Sequence, residues 1–341
     1  MKEMVKARNL PALKSREEML EILQREEYGY LPAPPEELTF EWGEKLSPNY
    51  CAGKAIGFKM RAHVKVKGKY FSFPFVYVAP NNGKKNPFFV HINFRADVPD
   101  RYMPTEEIVD GGFGCLSFYY EDVTKDNKPF NTGLARILYP DGQRQGADAG
   151  KIAMWAWAAM RLMDFAQTCP ELDSTKGIVC GHSRLGKTAL FTAAMDTRFA
   201  MGYSNNSGCS GAALSRGRSE KGEPVRVITN VFPHWFCPNY LAYEGDVEKL
   251  PFDQHYLLAS IAPRPVFVGS ATEDHWADQL SEQLCCVAAA PAFEGGFVCD
   301  HIAQPDECFM EGKIGYHLRT GTHYFSRQDW QRLMEFARMH L

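Results

Sequence analysis

Apolar and polar positions alternate along two neighbouring stretches, AIGFKMRAHVKVKG and YFSFPFVYVAP, joined by a Gly-Lys turn. A period of two marks a strand with one buried face, so the pair predicts an antiparallel hairpin. Pro74 in the second stretch has no N–H for a ladder and predicts an edge or a bulge. NPFFVHINF and GFGCLSFYY are instead continuous apolar runs, as strands covered on both faces require. Upstream, Ser15 with Glu18 forms a capping-box pattern. Met19, Leu20, Ile22 and Leu23 then give a helix an apolar face, ending near Gly29 and the prolines Pro32, Pro34 and Pro35.

From Asp148 to Gln167 the period becomes helical, with Ile152, Trp155, Ala156, Ala159, Met160 and Met163 on one face. Ile178, Val179 and Cys180 read as a short buried strand, and Lys187, Ala189, Leu190, Phe191, Ala193 and Ala194 as a helix. Ser183 therefore falls at a tight strand-to-helix corner. FAMGYS, RPVFVGSA and KIGYHLRTG are further strands, and SRQDWQRLMEFARMHL closes the chain as a helix capped by Ser326. Antiparallel strands followed by strand–helix alternation predict an α/β-hydrolase fold, a three-layer sandwich with a mostly parallel central sheet and an N-terminal antiparallel hairpin. With 341 residues, 45% of them hydrophobic, the chain can form one domain over 1–341, with 1–36 as a helical segment packed on it.

A net charge of -3 gives no general attraction to nucleic acid or anionic membranes. The opening MKEMVKARNLPALKSREEML lacks an apolar run of signal-peptide length, and no later segment is apolar enough to span a bilayer. As it stands, the sequence predicts a cytoplasmic protein, or an exported one if a leader precedes it. The ten cysteines are irregularly spaced, and Cys115, Cys180, Cys285 and Cys286 lie in apolar runs, which predicts reduced thiols acting as small hydrophobes.

The corner at Ser183 is where hydrolases of this fold hold their nucleophile. A serine hydroxyl needs a base to take its proton and a third group to orient that base, in the chain order Ser, acid, His. Downstream, PVFVGSATEDHWADQ ends a strand and offers Glu273, Asp274 and Asp278, and Asp274 is preferred because it follows the strand closely. HLRTGTHYFSRQDW places His323 in the loop before the last helix. His182 is expected to shape the corner, and His63, His255 and His340 to be structural. The corner departs from Gly-x-Ser-x-Gly, since Leu185 stands where the second glycine belongs and Gly186 is displaced by one.

Read whole, Gly-His-Ser-Arg-Leu-Gly-Lys resembles the Gly-Cys-Ser-Arg-x-Gly-Lys-x-Ala elbow of glucuronoyl esterases, the fifteenth carbohydrate esterase family. MWAWAAMRLMDF, FPHWFCPNY, LPFDQHYLLASIAPRP, HWAD and GTHYFSRQDW extend the resemblance over residues 150 to 341, and EEYGYLP carries it more loosely through the first 150. The resemblance implies Ser183 as nucleophile, His323 as base, and Arg184 as oxyanion stabiliser through its backbone N–H and guanidinium. It also implies Lys187 aimed at sugar hydroxyls and Trp276 lining the same pocket, with Trp235 and Gln254 as weaker pocket candidates. Many members carry a catalytic glutamate in a Glu-Ser-Gly sequence where this chain reads SNNSGCSGAALSR, with Asn206 in that place. The acid must then come from the later loop.

These readings predict a serine carboxyl-ester hydrolase acting through an acyl-enzyme on a small-molecule or oligosaccharide ester, either a glucuronoyl methyl ester or an acetylated xylan-type sugar. They call for no cofactor, no nucleic-acid partner and no membrane, and leave the oligomeric state open. Asp300 with His301 lacks the spacing of a metal site. The alternative from another class is a catalytically silent carbohydrate-binding or scaffold protein that keeps the fold. A peptidase or thioesterase is a further option within enzymes.

Overall fold

The computed structural model describes residues 1–341. Its centre is a ten-stranded sheet in the order β1-β2-β3-β5-β4-β6-β7-β8-β10-β9. The strands are β1 (Glu37–Lys45), β2 (Ala55–Val66), β3 (Lys69–Pro80), β4 (Asn86–Asn93), β5 (Gly114–Tyr119), β6 (Leu172–His182), β7 (Met201–Asn205), β8 (Val266–Ala271), β9 (Cys308–Phe309) and β10 (Ile314–Arg319). From β5 through β10 every neighbour pairs in parallel, whereas β1, β2, β3 and the short β9 pair antiparallel. This is the α/β-hydrolase arrangement. Pro74 lies beyond the β3–β5 ladder, which covers only Val76 to Val78, so that side of β3 is an edge where proline is tolerated.

Alternation along the central strands divides the core into two layers. Phe88, Val90 and Val179 face the helices Lys151–Ala166, Arg184–Met195 and Gln279–Ala289, while Phe89, Ile178 and Cys180 face the C-terminal helix Arg327–His340. The expected single apolar face of the helix around 148–167 is too modest. Every residue from Lys151 to Ala166 except Asp164 is buried, because the N-terminal segment and neighbouring loops close over the side away from the sheet. Trp157 Nε1 donates to the carbonyl of Ala33 in the proline-rich stretch at 2.9 Å. The capping boxes at Ser15 and Ser326 both form. All ten cysteines are free thiols, and no helix is long and apolar enough to cross a membrane.

Polar anchors tie the N-terminal segment to later elements. Arg8 donates to Ser281 Oγ at 2.8 Å and Arg16 to the Ser260 carbonyl at 3.0 Å. The helix from Arg16 gives way to a π-turn, Gln24–Tyr28, that turns Glu27 and Tyr28 inward. Gly29 follows at φ 83°, where a Cβ would lie 2.5 Å from the Asp148 carbonyl oxygen. Glu27 is fully buried and accepts from Gln254 Nε2 at 2.9 Å. Burial outweighs that bond and pushes the Glu27 carboxyl up to about 8. A folded-state value above the unfolded 4.5 means that the stability held by this proton is complete below about 4.5 and is lost as pH rises toward 8. Glu27→Gln supplies a neutral isostere, so the Tm of the variant relative to wild type is expected to climb between about pH 5 and pH 8. A difference that stays constant across this range, measured by thermal melts, contradicts the assignment.

Candidate active site

Strand β6 ends at His182, and the next residue, Ser183, takes φ 57° and ψ -128° as the N-cap of the helix Arg184–Met195. Such a conformation is rare for a residue with a Cβ and costs about 1–3 kcal/mol, so its surroundings must enforce it. The Ser183 N–H donates to the Asn205 carbonyl on β7 at 2.8 Å, and Gly186 N–H returns to the Ser183 carbonyl at 2.8 Å. At Gly181 a Cβ would stand 2.2 Å from the Leu185 carbonyl oxygen. The displaced glycine has its own reason, because a Cβ on Gly186 would lie 2.9 Å from Ser204 Oγ while Leu185 fills the core. His182 is buried, bonds through Nδ1 to Asn205 Oδ1 at 2.7 Å, and is held by burial well below the usual histidine range, at about 3. It is thus a neutral ring packed 4.4 Å from that of His323.

His323 stands in the loop between β10 and the last helix, with Nδ1 2.5 Å from Asp274 Oδ2. Arg319 holds that loop from below, since its guanidinium donates to the carbonyls on both sides of His323, Thr322 at 3.0 Å and Tyr324 at 2.9 Å, while pairing with buried Asp329. Asp274 is buried and accepts a second bond on the same Oδ2, from Asn206 Nδ2 at 2.7 Å. Burial raises its pKa, but the His323 and Asn206 contacts outweigh that and leave it below the ordinary carboxylate value. Of the other acids in the loop, Glu273 is exposed. Asp278 is spent as the N-cap of the helix Gln279–Ala289, bonded to Ser219 and Ser281.

Arg184 is the first residue of its helix, so its N–H has no intrahelical acceptor. Its guanidinium pairs with Asp126 and lies 4.7 Å over the Trp235 ring. Asp126 also accepts from His234 Nε2 at 2.8 Å and Trp235 Nε1 at 2.7 Å, and although burial opposes ionisation these donors hold it well below the usual range. The loop carrying Asp126 is tied down by Lys151, whose ammonium donates to the carbonyls of Lys125, Asn127 and Pro129. Lys187 is buried and commits two of its three N–H donors to the carbonyls of Ser207 and Cys209.

Ser183, Arg184, Lys187, Trp235, Asp274, Trp276 and His323 line one cavity of about 370 Å³. Trp276 is half exposed at its mouth, and Trp235 is buried in its wall, stacked on Phe232 with centroids 3.9 Å apart. Gln254 is not there. It is fully buried at the start of the helix His255–Ala259, with its amide on Glu27, and so belongs to the anchoring of the N-terminal segment. Glu223 also lines the cavity and is singled out by no sequence signal. Glu223, with its pKa raised by burial against the pull of Lys187, comes from the polar stretch GRSEKGEP, which has no period to single it out. Asn206, which stands where many family members carry a glutamate, lines the cavity with its amide on Asp274. A larger groove of about 1070 Å³ between residues 1–6 and 287–300 contains none of these groups. His63, His255 and His340 bond to Glu41, the Pro11 carbonyl and the Met310 carbonyl, outside the cavity.

Residues 62–295 match the family model described as glucuronyl esterase, fungi. The chain belongs to the glucuronoyl esterase family. Carbohydrate esterase MZ0003, from an unknown prokaryotic organism, is 42% identical over 69% of this chain and 55% of its own length. A 4-O-methyl-glucuronoyl methylesterase of Podospora anserina is 27% identical over 81% of this chain and 55% of its own length. The chain thus spans about half the length of these curated members. Among solved structures, a glucuronoyl esterase from Solibacter usitatus superposes with a TM-score of 0.87 at 30% identity, covering 95% of this chain and 92% of that one. A promiscuous esterase of the family from a marine bacterial metagenome gives 0.85 at 32% identity, covering 96% and 91%.

If Asp274 supplies the charge that supports a His323 imidazolium, Asp274→Asn should lower kcat on the order of 10⁴-fold on an activated ester. Adding Asn206→Glu to that variant inverts the amide–carboxylate pair and should recover part of the rate. Asp274→Asn within about tenfold of wild type, under ~1.4 kcal/mol, rejects this role.

Proposed function

We propose that this protein is a serine carboxyl-ester hydrolase acting on a carbohydrate-linked ester, with a glucuronoyl group as the acyl part. The observation that carries the reading is the His323–Asp274 hydrogen bond facing, across one cavity, a serine in the positive-φ elbow conformation. In the first half-reaction Ser183 Oγ attacks the ester carbonyl as His323 takes its proton, and Asp274 stabilises the imidazolium so formed. The oxyanion of the tetrahedral intermediate falls to the Arg184 N–H, reinforced by the helix N-terminus and the guanidinium. On collapse the imidazolium gives its proton to the leaving alkoxide, which departs as the free alcohol, and water activated by the regenerated His323 attacks the acyl-enzyme to release the acid and Ser183.

Three features support a sugar acid over an acetyl group. The cavity is far larger than an acetyl group fills, the half-exposed Trp276 offers a ring face for sugar C–H surfaces, and Lys187 and Glu223 offer partners for hydroxyls. The relatives named 4-O-methyl-glucuronoyl methylesterases point the same way. Nothing in the cavity favours a silent scaffold, since the departure at Asn206 is bonded to the acid. Seven buried thiols packed as small hydrophobes support a reducing compartment.

Hydrolysis of methyl glucuronate, followed by alcohol release and set beside an acetylated xylooligomer, tests the reading. Turnover of the glucuronate ester with single-site fluorophosphonate labelling is expected, and absence of both rejects it. Ser183→Ala should abolish turnover and labelling while leaving the melt unchanged, because the lost hydroxyl opens no large cavity. Arg184→Ala should lower kcat about 10²–10³-fold if its guanidinium steadies the oxyanion. A loss confined to KM would make it a substrate-binding group instead.

A further inference from the structure

The turn after β7 is built from alternating left-handed residues, Asn206 at φ 49°, Gly208 at φ 62° and Ser210 at φ 56°. Two of the three carry a Cβ, so the turn is strained and must be held from outside. It is held by opposite polarities. Lys187 takes the carbonyls of Ser207 and Cys209. Glu282, fully buried on the helix Gln279–Ala289, takes the Gly208 N–H at 2.8 Å and the Ser207 hydroxyl at 3.3 Å on one carboxyl oxygen. Its other oxygen meets Ser270 Oγ at 2.5 Å, near the end of β8, the strand that leads into the Asp274 loop.

The product of this arrangement is the placement of one amide. The Asn206 N–H is fixed on the Gly269 carbonyl at 2.7 Å, and its side chain then reaches Asp274 Oδ2, the oxygen that faces His323. We propose that Glu282 is a positioning residue for ester hydrolysis, clamping the 206–210 turn against β8 so that Asn206 locks the Asp274 carboxylate onto His323. Glu282 touches no reacting atom and acts through Asn206. The inference rests on the reading of Ser183, His323 and Asp274 given above. It also explains why a carboxylate is buried beneath a site that already has its acid: the Gly208 N–H and two hydroxyls need a strong, enclosed acceptor.

The test is a double-mutant cycle in kcat on methyl glucuronate, using the full chain. Glu282→Ala is expected to lower kcat about tenfold or more, and Glu282→Gln, which still accepts from Gly208, to stay within about threefold of wild type. In an Asn206→Ala background, Glu282→Ala should cost little further, because the amide it positions is gone. A purely structural role predicts equal losses in both backgrounds and would overturn the inference. Glu282→Asp, one methylene too short to reach the turn, repeats the cycle should the alanine variant not fold, with the same expected and contrary outcomes. If wild type hydrolyses the ester and the losses are additive, only this inference fails. If wild type does not hydrolyse it, the parent reading fails and takes the inference with it.

Discussion

The backbone at Ser183, held at φ 57° and ψ -128°, is the constraint around which the molecule is organised. A strained corner of this kind persists only if the strand before it and the helix after it cannot move apart. Strand β6 is paired on both sides, by β4 and β7, and its residues alternate between two apolar layers. The helix Arg184–Met195 is buried along nearly its whole length, with Gly181 and Gly186 allowing strand and helix to touch. The corner brings Ser183 and Arg184 to one cavity, the placement that the proposed nucleophile and oxyanion donor require.

Around this corner charge is balanced in pairs rather than left free. Arg184 meets Asp126, Lys187 meets carbonyls of the 206–210 turn, and Asp274 meets His323 and Asn206. Each pair also fixes a loop: Lys151 secures the Asp126 loop, and Arg319 spans the two carbonyls that flank His323. Buried polar networks of this sort favour one arrangement over its neighbours because every broken bond leaves an enclosed group unsatisfied. That rigidity suits a reaction in which donors must be in place before charge develops.

The strands and the chain order of Ser183, Asp274 and His323 were legible because both are one-dimensional. Alternation marks β2 and β3, unbroken apolar runs mark β4 and β5, and Ser183, Asp274 and His323 each follow a strand. The unread parts are those set by distant contacts. Glu223 and Glu282 look like ordinary surface acids in sequence, and only the fold encloses them. Gln254 was misread for the converse reason, since a motif fixed its position in the chain but not the direction of its side chain, which turns toward Glu27. Asn206 shows the limit of reading a substitution as a loss, because its amide is bonded to the Asp274 carboxylate.

In the proposed reaction, hydrolysis passes through an acyl group on Ser183. Rapid mixing of the enzyme with an aryl ester of glucuronic acid, followed by acid quench and peptide mass analysis, tests this step. The good leaving group speeds acylation but not deacylation, so the acyl-enzyme accumulates before the quench. A glucuronoyl mass increment is expected only on the peptide carrying Ser183, and none in the Ser183→Ala variant. Hydrolysis by wild type with the increment on another residue, or undiminished turnover in Ser183→Ala, would contradict it.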